Sequence, residues 1–262
     1  MCISQPVGPS AANGHADVKI VQVLLNANAP AFGLAQPLDE DGAYGSKTGS
    51  AIRAFQESQG LDEAGLIRPD GPTLSKLAEA LPVKLGVSAL QGIMAVSSEA
   101  VVERYAPALL TRMPANGIDT PLRCMHFLAQ IGHESAGFRY TEEIASGEAY
   151  EGRADLGNTQ PGDGVRFKGR GLIQLTGRAN YAAYGKAIGV DLVDTDAYET
   201  LATDPERAVD VACWFWSTHG LNALADADDI EAVTRRINGG LNGLDDRKAY
   251  LHRARFFVRG AP

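Results

Sequence analysis

Cysteine is scarce in this chain. Cys2, Cys124 and Cys213 are three in 262 residues, an odd number without close pairing or metal-type spacing, which excludes a disulfide scaffold and fits synthesis in a reducing cytoplasm. Long apolar runs are missing too: none approaches the ~18–20 residues of a membrane-spanning helix, so no stable membrane association is expected. The opening stretch Met1-Cys-Ile-Ser-Gln-Pro-Val-Gly8 has neither the basic start nor the apolar segment of a secretory signal, so no signal peptide is expected. Positive charge is in deficit. With 24 Lys and Arg against 32 Asp and Glu, the net charge of -8 argues against broad binding to nucleic acid or to an anionic surface.

What is present suits folded domains. Hydrophobic residues make up 45% and charged residues 21%, close to the globular average, and the length exceeds the ~100–150 residues of a typical domain. Two domains are expected: residues 1–81 with a core at 17–81, a joint at 82–88, and residues 89–262. In the first, Asp17 is placed to cap a helix carrying Ile20, Val21, Leu24 and Leu25 at helical spacing. A second helix from about Ser46 to Gln59 turns Ile52 and Phe55 inward and stops at Gly60. A third starts at Pro72 and carries Leu74, Leu77 and Leu81. Pro82-Val-Lys-Leu-Gly86 then interrupts the pattern, and Ser88 is placed to cap the next helix.

The order Val21-Gln-Val-Leu-Leu25, Asp41-Gly-Ala-Tyr-Gly45, Thr48, Ala51-Ile-Arg-Ala-Phe-Gln56, Gly60-Leu61 and Pro72-Thr73 with Leu77 resembles the three-helix peptidoglycan-binding domain of many wall-lytic enzymes. The resemblance covers about a quarter of the chain and implies peptidoglycan as a partner.

In the second domain, Thr120-Pro121 can begin a helix that Gly137 ends. At 100° per residue, Glu134 falls about 20° from Phe127 and about 60° from Ile131, on the apolar face. Partial desolvation and the negative end of the helix dipole both favour its protonated form, which suits a general acid handing a proton to a glycosidic oxygen. His133-Glu134 lacks the second histidine that a helical zinc signature needs, since Gly137 stands there. No metal and no cofactor are expected.

Glycoside hydrolysis ordinarily uses a second carboxyl group across the scissile bond. Glu142, Glu143, Glu148 and Glu151 all follow, in a stretch whose Ser146-Gly147 and Gly152 suggest a loop; the residues by themselves leave the choice open. Residues 157–181 are dense in glycine and hydrogen-bonding groups but have neither phosphate-loop nor dinucleotide spacing. Gln174, Thr176, Asn180 and Tyr181 offer the amide, hydroxyl and aromatic groups that sugars require.

His133-Glu-Ser-Ala-Gly-Phe138, Tyr150-Glu-Gly-Arg153, Phe167-Lys-Gly-Arg-Gly-Leu-Ile-Gln-Leu-Thr176, Asn180-Tyr181 and Ile237-Asn-Gly-Gly240 resemble glycoside hydrolase family 19, and within it phage endolysins and bacterial lysozymes more than plant chitinases. The resemblance implies a mainly α protein, a small three-helix domain followed by a larger helical, lysozyme-like two-lobed catalytic domain. It implies an inverting hydrolase acting on peptidoglycan, the alternatives being a chitinase on N-acetylglucosamine polymers or a non-catalytic wall-binding protein, with Glu134 as acid and its partner carboxyl ~6.5–9.5 Å away. Endolysin spacing places the base at Glu143, whereas chitinase spacing favours Glu151 or Glu148. Thr176 matches the residue that helps hold the attacking water, and Gln174, Asn180 and Asn238 match groove residues. Ala179 replaces a tyrosine of many chitinases, and the disulfide cysteines of plant members are absent. A monomer is expected, made in a host bacterial cytoplasm and released to the wall with a holin.

Downstream, Asp204-Pro205 opens a helix with Val209, Ala212, Phe215 and Trp216 inward and Gly220 at its end. Asp229 and Asp245 are placed to cap two more. Trp214 and Trp216 cannot share one helical face; burial is the expectation for both, with the groove the alternative for one.

Overall fold

Helical periodicity in the sequence becomes helix along most of the chain. The structure, a computed structural model, describes residues 2–62, 64–260 and 262. Among them, fourteen α-helices and three short 3-10 turns carry the fold, with isolated β-bridges in place of an extended sheet. The amino-terminal part holds α1 (His15–Ala27), α2 (Ala29–Phe32), α3 (Ser46–Ser58) and α4 (Pro72–Glu79). Ile52 and Phe55 face inward from α3, Leu74 and Leu77 from α4, and Gly60 follows α3 at a φ of +64° that a side chain would resist. The single turn α2 is too short to show as periodicity.

The first helix is not an ordinary amphipathic one. Every residue from Asp17 to Leu25 is buried, Lys19 and Gln22 included. α1 packs on α3 and α4 and also on α5 (Val87–Ile93), and a helix covered all round must bury every face. One continuous set of buried apolar residues therefore runs from the amino-terminal helices into the larger part.

Asp17 does not cap α1 as its position suggests. Gly14 holds the cap, and the Asp17 carboxylate instead accepts the Ser4 N–H at 2.8 Å, the Ser4 hydroxyl at 2.9 Å and the Gln5 N–H at 3.1 Å. Three upstream donors outweigh the one a cap would satisfy, and they fasten the amino-terminal strand whose Val7 pairs with Ile67. Likewise Gly86, not Ser88, precedes α5.

The larger part continues with α6 (Glu99–Ala115), α7 (Pro121–Glu134), α8 (Asp163–Arg166), α9 (Arg178–Ile188), α10 (Thr200–Thr203), α11 (Pro205–Thr218), α12 (Leu221–Asp226), α13 (Ile230–Asn238) and α14 (Leu244–Phe257). Thr120 caps α7, its hydroxyl accepting the Arg123 N–H at 3.4 Å, and Pro121 occupies the first turn. Gly137, at φ +74°, donates its N–H to the Gly132 carbonyl at 2.7 Å and so closes the helix beyond Glu134. α14 runs along α7. Gly132 makes that approach feasible, because a Cβ there would stand 2.7 Å from the Tyr250 ring. Asp204 and Asp229 cap α11 and α13. Asp245 does not cap α14: the chain enters that helix left-handed at Gly243, φ +71°, which leaves Asp245 in the first turn. Cys2, Cys124 and Cys213 are free and buried.

Candidate active site

A cleft of about 500 Å³ opens between the end of α7, the loop that follows it and helices α9, α11 and α13. It brings together Glu134, Glu143, Gln174, Thr176, Asn180 and Asn238, over an apolar lining of Leu156, Ile173, Leu175, Phe215 and Ile237, with Tyr150 beside Glu143.

Glu134 ends α7 with its side chain 18% exposed. Its Oε1 lies 2.5 Å from the Arg247 guanidinium, which is itself 2% exposed and also donates to Gln130 Oε1 at 2.5 Å. Nothing near Glu134 in sequence announces it; Arg247 arrives from α14, with Gln130 one helical turn before Glu134 acting as its second anchor.

Glu143 sits where the chain runs extended beside residues 168–175. Its N–H donates to the Gly169 carbonyl at 2.9 Å, its Oε2 accepts the Gly169 N–H at 3.1 Å, and its Oε1 accepts the Tyr150 hydroxyl at 3.0 Å. Burial and the Glu143 carboxylate push the Tyr150 phenol up, keeping it a donor. In an extended segment neighbours face opposite ways: Glu142 turns to the outer side, toward Arg170 at 3.0 Å and Lys168 at 3.4 Å. Gly169 permits this close approach, since a Cβ there would stand 2.9 Å from Gln174 Oε1 and 3.3 Å from Glu143 Oε2.

The other acidic candidates lie elsewhere. Glu148 is exposed and absent from the cleft lining, and Glu151 accepts the Gly162 and Gly164 N–H groups, each at 2.7 Å. Gln174 takes φ +55° and donates to the Gly171 carbonyl at 3.0 Å. Thr176 donates to the Gln174 carbonyl at 2.9 Å, Asn180 to the Thr176 carbonyl at 2.7 Å and Asn238 to the Asn242 carbonyl at 3.4 Å. Each spends a donor on the backbone and is thereby oriented in the cleft wall. Tyr181 is not a sugar contact: it is buried, its ring against Phe167 and its hydroxyl on the Lys168 carbonyl at 2.7 Å.

Phe215 lines the cleft instead of facing inward, stacked on His219 with centroids 3.8 Å apart. Trp216 is buried with its indole N–H on Asn222 Oδ1 at 2.8 Å, and Trp214 packs on Tyr184. Neither tryptophan is among the cleft residues.

The glycine-rich loop is held by an ion pair between the buried Asp163 carboxylate and the partly exposed Arg178 guanidinium. Arg178 donates to the buried Asp163 carboxylate through two nitrogens, at 2.7 and 2.9 Å, which holds that carboxyl below the usual aspartate range. A depressed folded value gives stability that is fully present above about pH 4, the unfolded value, and is lost as pH falls through the folded one. Arg178→Met is expected to cost about 2 kcal/mol at pH 7, less than a fully buried pair because the guanidinium is partly exposed. Thermal melts of parent and variant should draw together as pH falls below the ordinary aspartate value and through the lower folded one.

Residues 124–238 match the family model for class I chitinases, and residues 14–67 that for a putative peptidoglycan binding domain. A glycosyl hydrolase family 19 domain-containing protein of Haemophilus influenzae is 37% identical over 159 residues, covering 49% of this chain and 76% of that protein. The chain belongs to glycoside hydrolase family 19. An endochitinase of Arabidopsis thaliana is 41% identical to this family 19 protein over 113 residues, 43% of this chain but only 38% of the plant enzyme. The crystal structure of chitinase C from Streptomyces griseus superposes with a TM-score of 0.54 at 21% identity, over 67% of this chain and 77% of that one, a likeness of fold. This family 19 chain is thus a mainly α glycoside hydrolase with an amino-terminal peptidoglycan-binding domain.

Proposed function

We propose that the protein is an endolysin-type lysozyme that cuts the β-1,4 bond between N-acetylmuramic acid and N-acetylglucosamine of peptidoglycan with inversion. The observation that carries this reading is one chain joining a peptidoglycan-binding domain to a cleft that holds two carboxyl groups in different settings. Glu134 is the acid that protonates the leaving oxygen. Glu143, fixed by Tyr150 and Gly169, is the base that takes a proton from the attacking water, and the Thr176 hydroxyl helps position that water. Gln174, Asn180 and Asn238 hold the sugar hydroxyl and acetamido groups, with Phe215 as an apolar platform.

A second reading, hydrolysis of N-acetylglucosamine polymers, is favoured by the endochitinase named among the relatives. Mass analysis of digests separates the two. Purified peptidoglycan is expected to yield fragments with muramic acid at the new reducing end, and chitin little soluble sugar; the opposite pattern overturns the lysozyme reading in favour of the chitinase.

A further inference from the structure

The amino-terminal domain reaches the catalytic helix through a buried cation. Lys19, on α1, is 1% exposed, and its ammonium group donates to the Ser97 carbonyl. Ser97, itself buried, donates its hydroxyl to the Gly137 carbonyl at 2.5 Å, and Gly137 is the residue whose N–H closes α7 three positions after Glu134. The contact is close-fitting, since a Cβ on Gly137 would stand 2.6 Å from Val96 and 2.8 Å from the Ser97 hydroxyl. The same segment is held from a second side, where Arg253 of α14 donates to the Ile93 carbonyl at 2.8 Å.

A buried ammonium is costly, and an apolar side chain of similar volume fills such a site at lower cost. Burial pushes the Lys19 amine down from the ordinary lysine value, opposed by the fields of Glu40 and Glu99. Burial also pushes the Glu40 carboxyl up, and one of its oxygens is buried without a hydrogen-bond partner. What Lys19 supplies that an apolar packing residue would not is a donor directed at the Ser97 carbonyl.

We propose that Lys19 is a positioning residue for hydrolysis, bracing the end of α7 through Ser97 so that Glu134 keeps its place in the cleft. The amino-terminal domain then serves the chemical step as well as attachment to the wall. This rests on Glu134 being the acid.

The test uses the full chain and a soluble peptidoglycan fragment, whose turnover does not need wall attachment. Lys19→Met is expected to lower kcat about tenfold with KM within twofold, as a small misplacement of a catalytic group does, and to speed amide exchange at Gly137 while wall binding is kept. Ser97→Ala, which removes the hydroxyl link and leaves the buried lysine its carbonyl, should show the same split if Lys19→Met fails to fold. A folded variant of either kind with parental kcat overturns the proposal. Glu134→Gln run alongside separates the two levels: if it keeps activity, the assignment of the acid has failed, whereas if it is inactive and the bracing variants are not, only the brace has.

Discussion

Glu134→Gln is expected to reduce hydrolysis of purified peptidoglycan by at least about a thousandfold, the upper part of the range for a lost general acid, while sedimentation with insoluble wall is unchanged. The glutamine keeps the shape and one acceptor for Arg247 but has no acidic proton to give. Wall binding should persist because the amino-terminal domain that matches peptidoglycan-binding domains is untouched by the substitution. Turbidity clearing by the folded variant at the parental rate would remove Glu134 from the mechanism.

The second large effect is expected from Arg247→Met. Its guanidinium is buried and serves three acceptors at once, Glu134, Gln130 and the Asn242 carbonyl, and Gln130 in turn reaches the Thr234 hydroxyl of α13 at 3.4 Å. Removing it strands a carboxylate and an amide oxygen. Breaking such a pair typically costs 3–5 kcal/mol when both partners are buried; the partial exposure of Glu134 brings the expectation to about 2–3 kcal/mol in urea unfolding. kcat should fall about a hundredfold, since the acid loses the contact that fixes its rotamer. The double variant Glu134→Gln with Arg247→Met decides whether the pair is the cause: coupling predicts a smaller stability loss than the sum of the two single changes, and strict additivity would assign the effect to lost packing of the Arg247 stem.

Local signals carry far in this chain, and what they miss is set by non-local packing. Thr120, Pro121 and the angle from Phe127 to Glu134 lie within one helix, so the face of α7 follows from 3.6-residue geometry alone. Arg247 meets Glu134 only because α14 packs along α7, and no spacing within either helix encodes that meeting. Phe215 shows the same limit. Its helical angle places it near the buried set, but whether the neighbouring space is core or cleft depends on α9 and α13. Asp17 and Asp245 look like caps because the sequence does not show which competing partner, an upstream N–H or a left-handed glycine, takes the position. Among the four glutamates after α7, strand-like alternation puts Glu143 and Glu142 on opposite sides, a distinction that appears once residues 168–170 lie alongside.

The burial of α1 on both sides bears on how such proteins are recombined. Wall-binding domains joined by slack linkers can be traded between enzymes, since each carries a closed core and the seam asks nothing of the sequence. In this chain the seam lies inside a shared interior, where α1 packs on α5 and Lys19 reaches the Ser97 carbonyl. A graft at residues 82–88 would transplant half an interior. The incoming helix would have to supply a matching apolar face and a donor for Ser97, so exchange of this domain is constrained by packing.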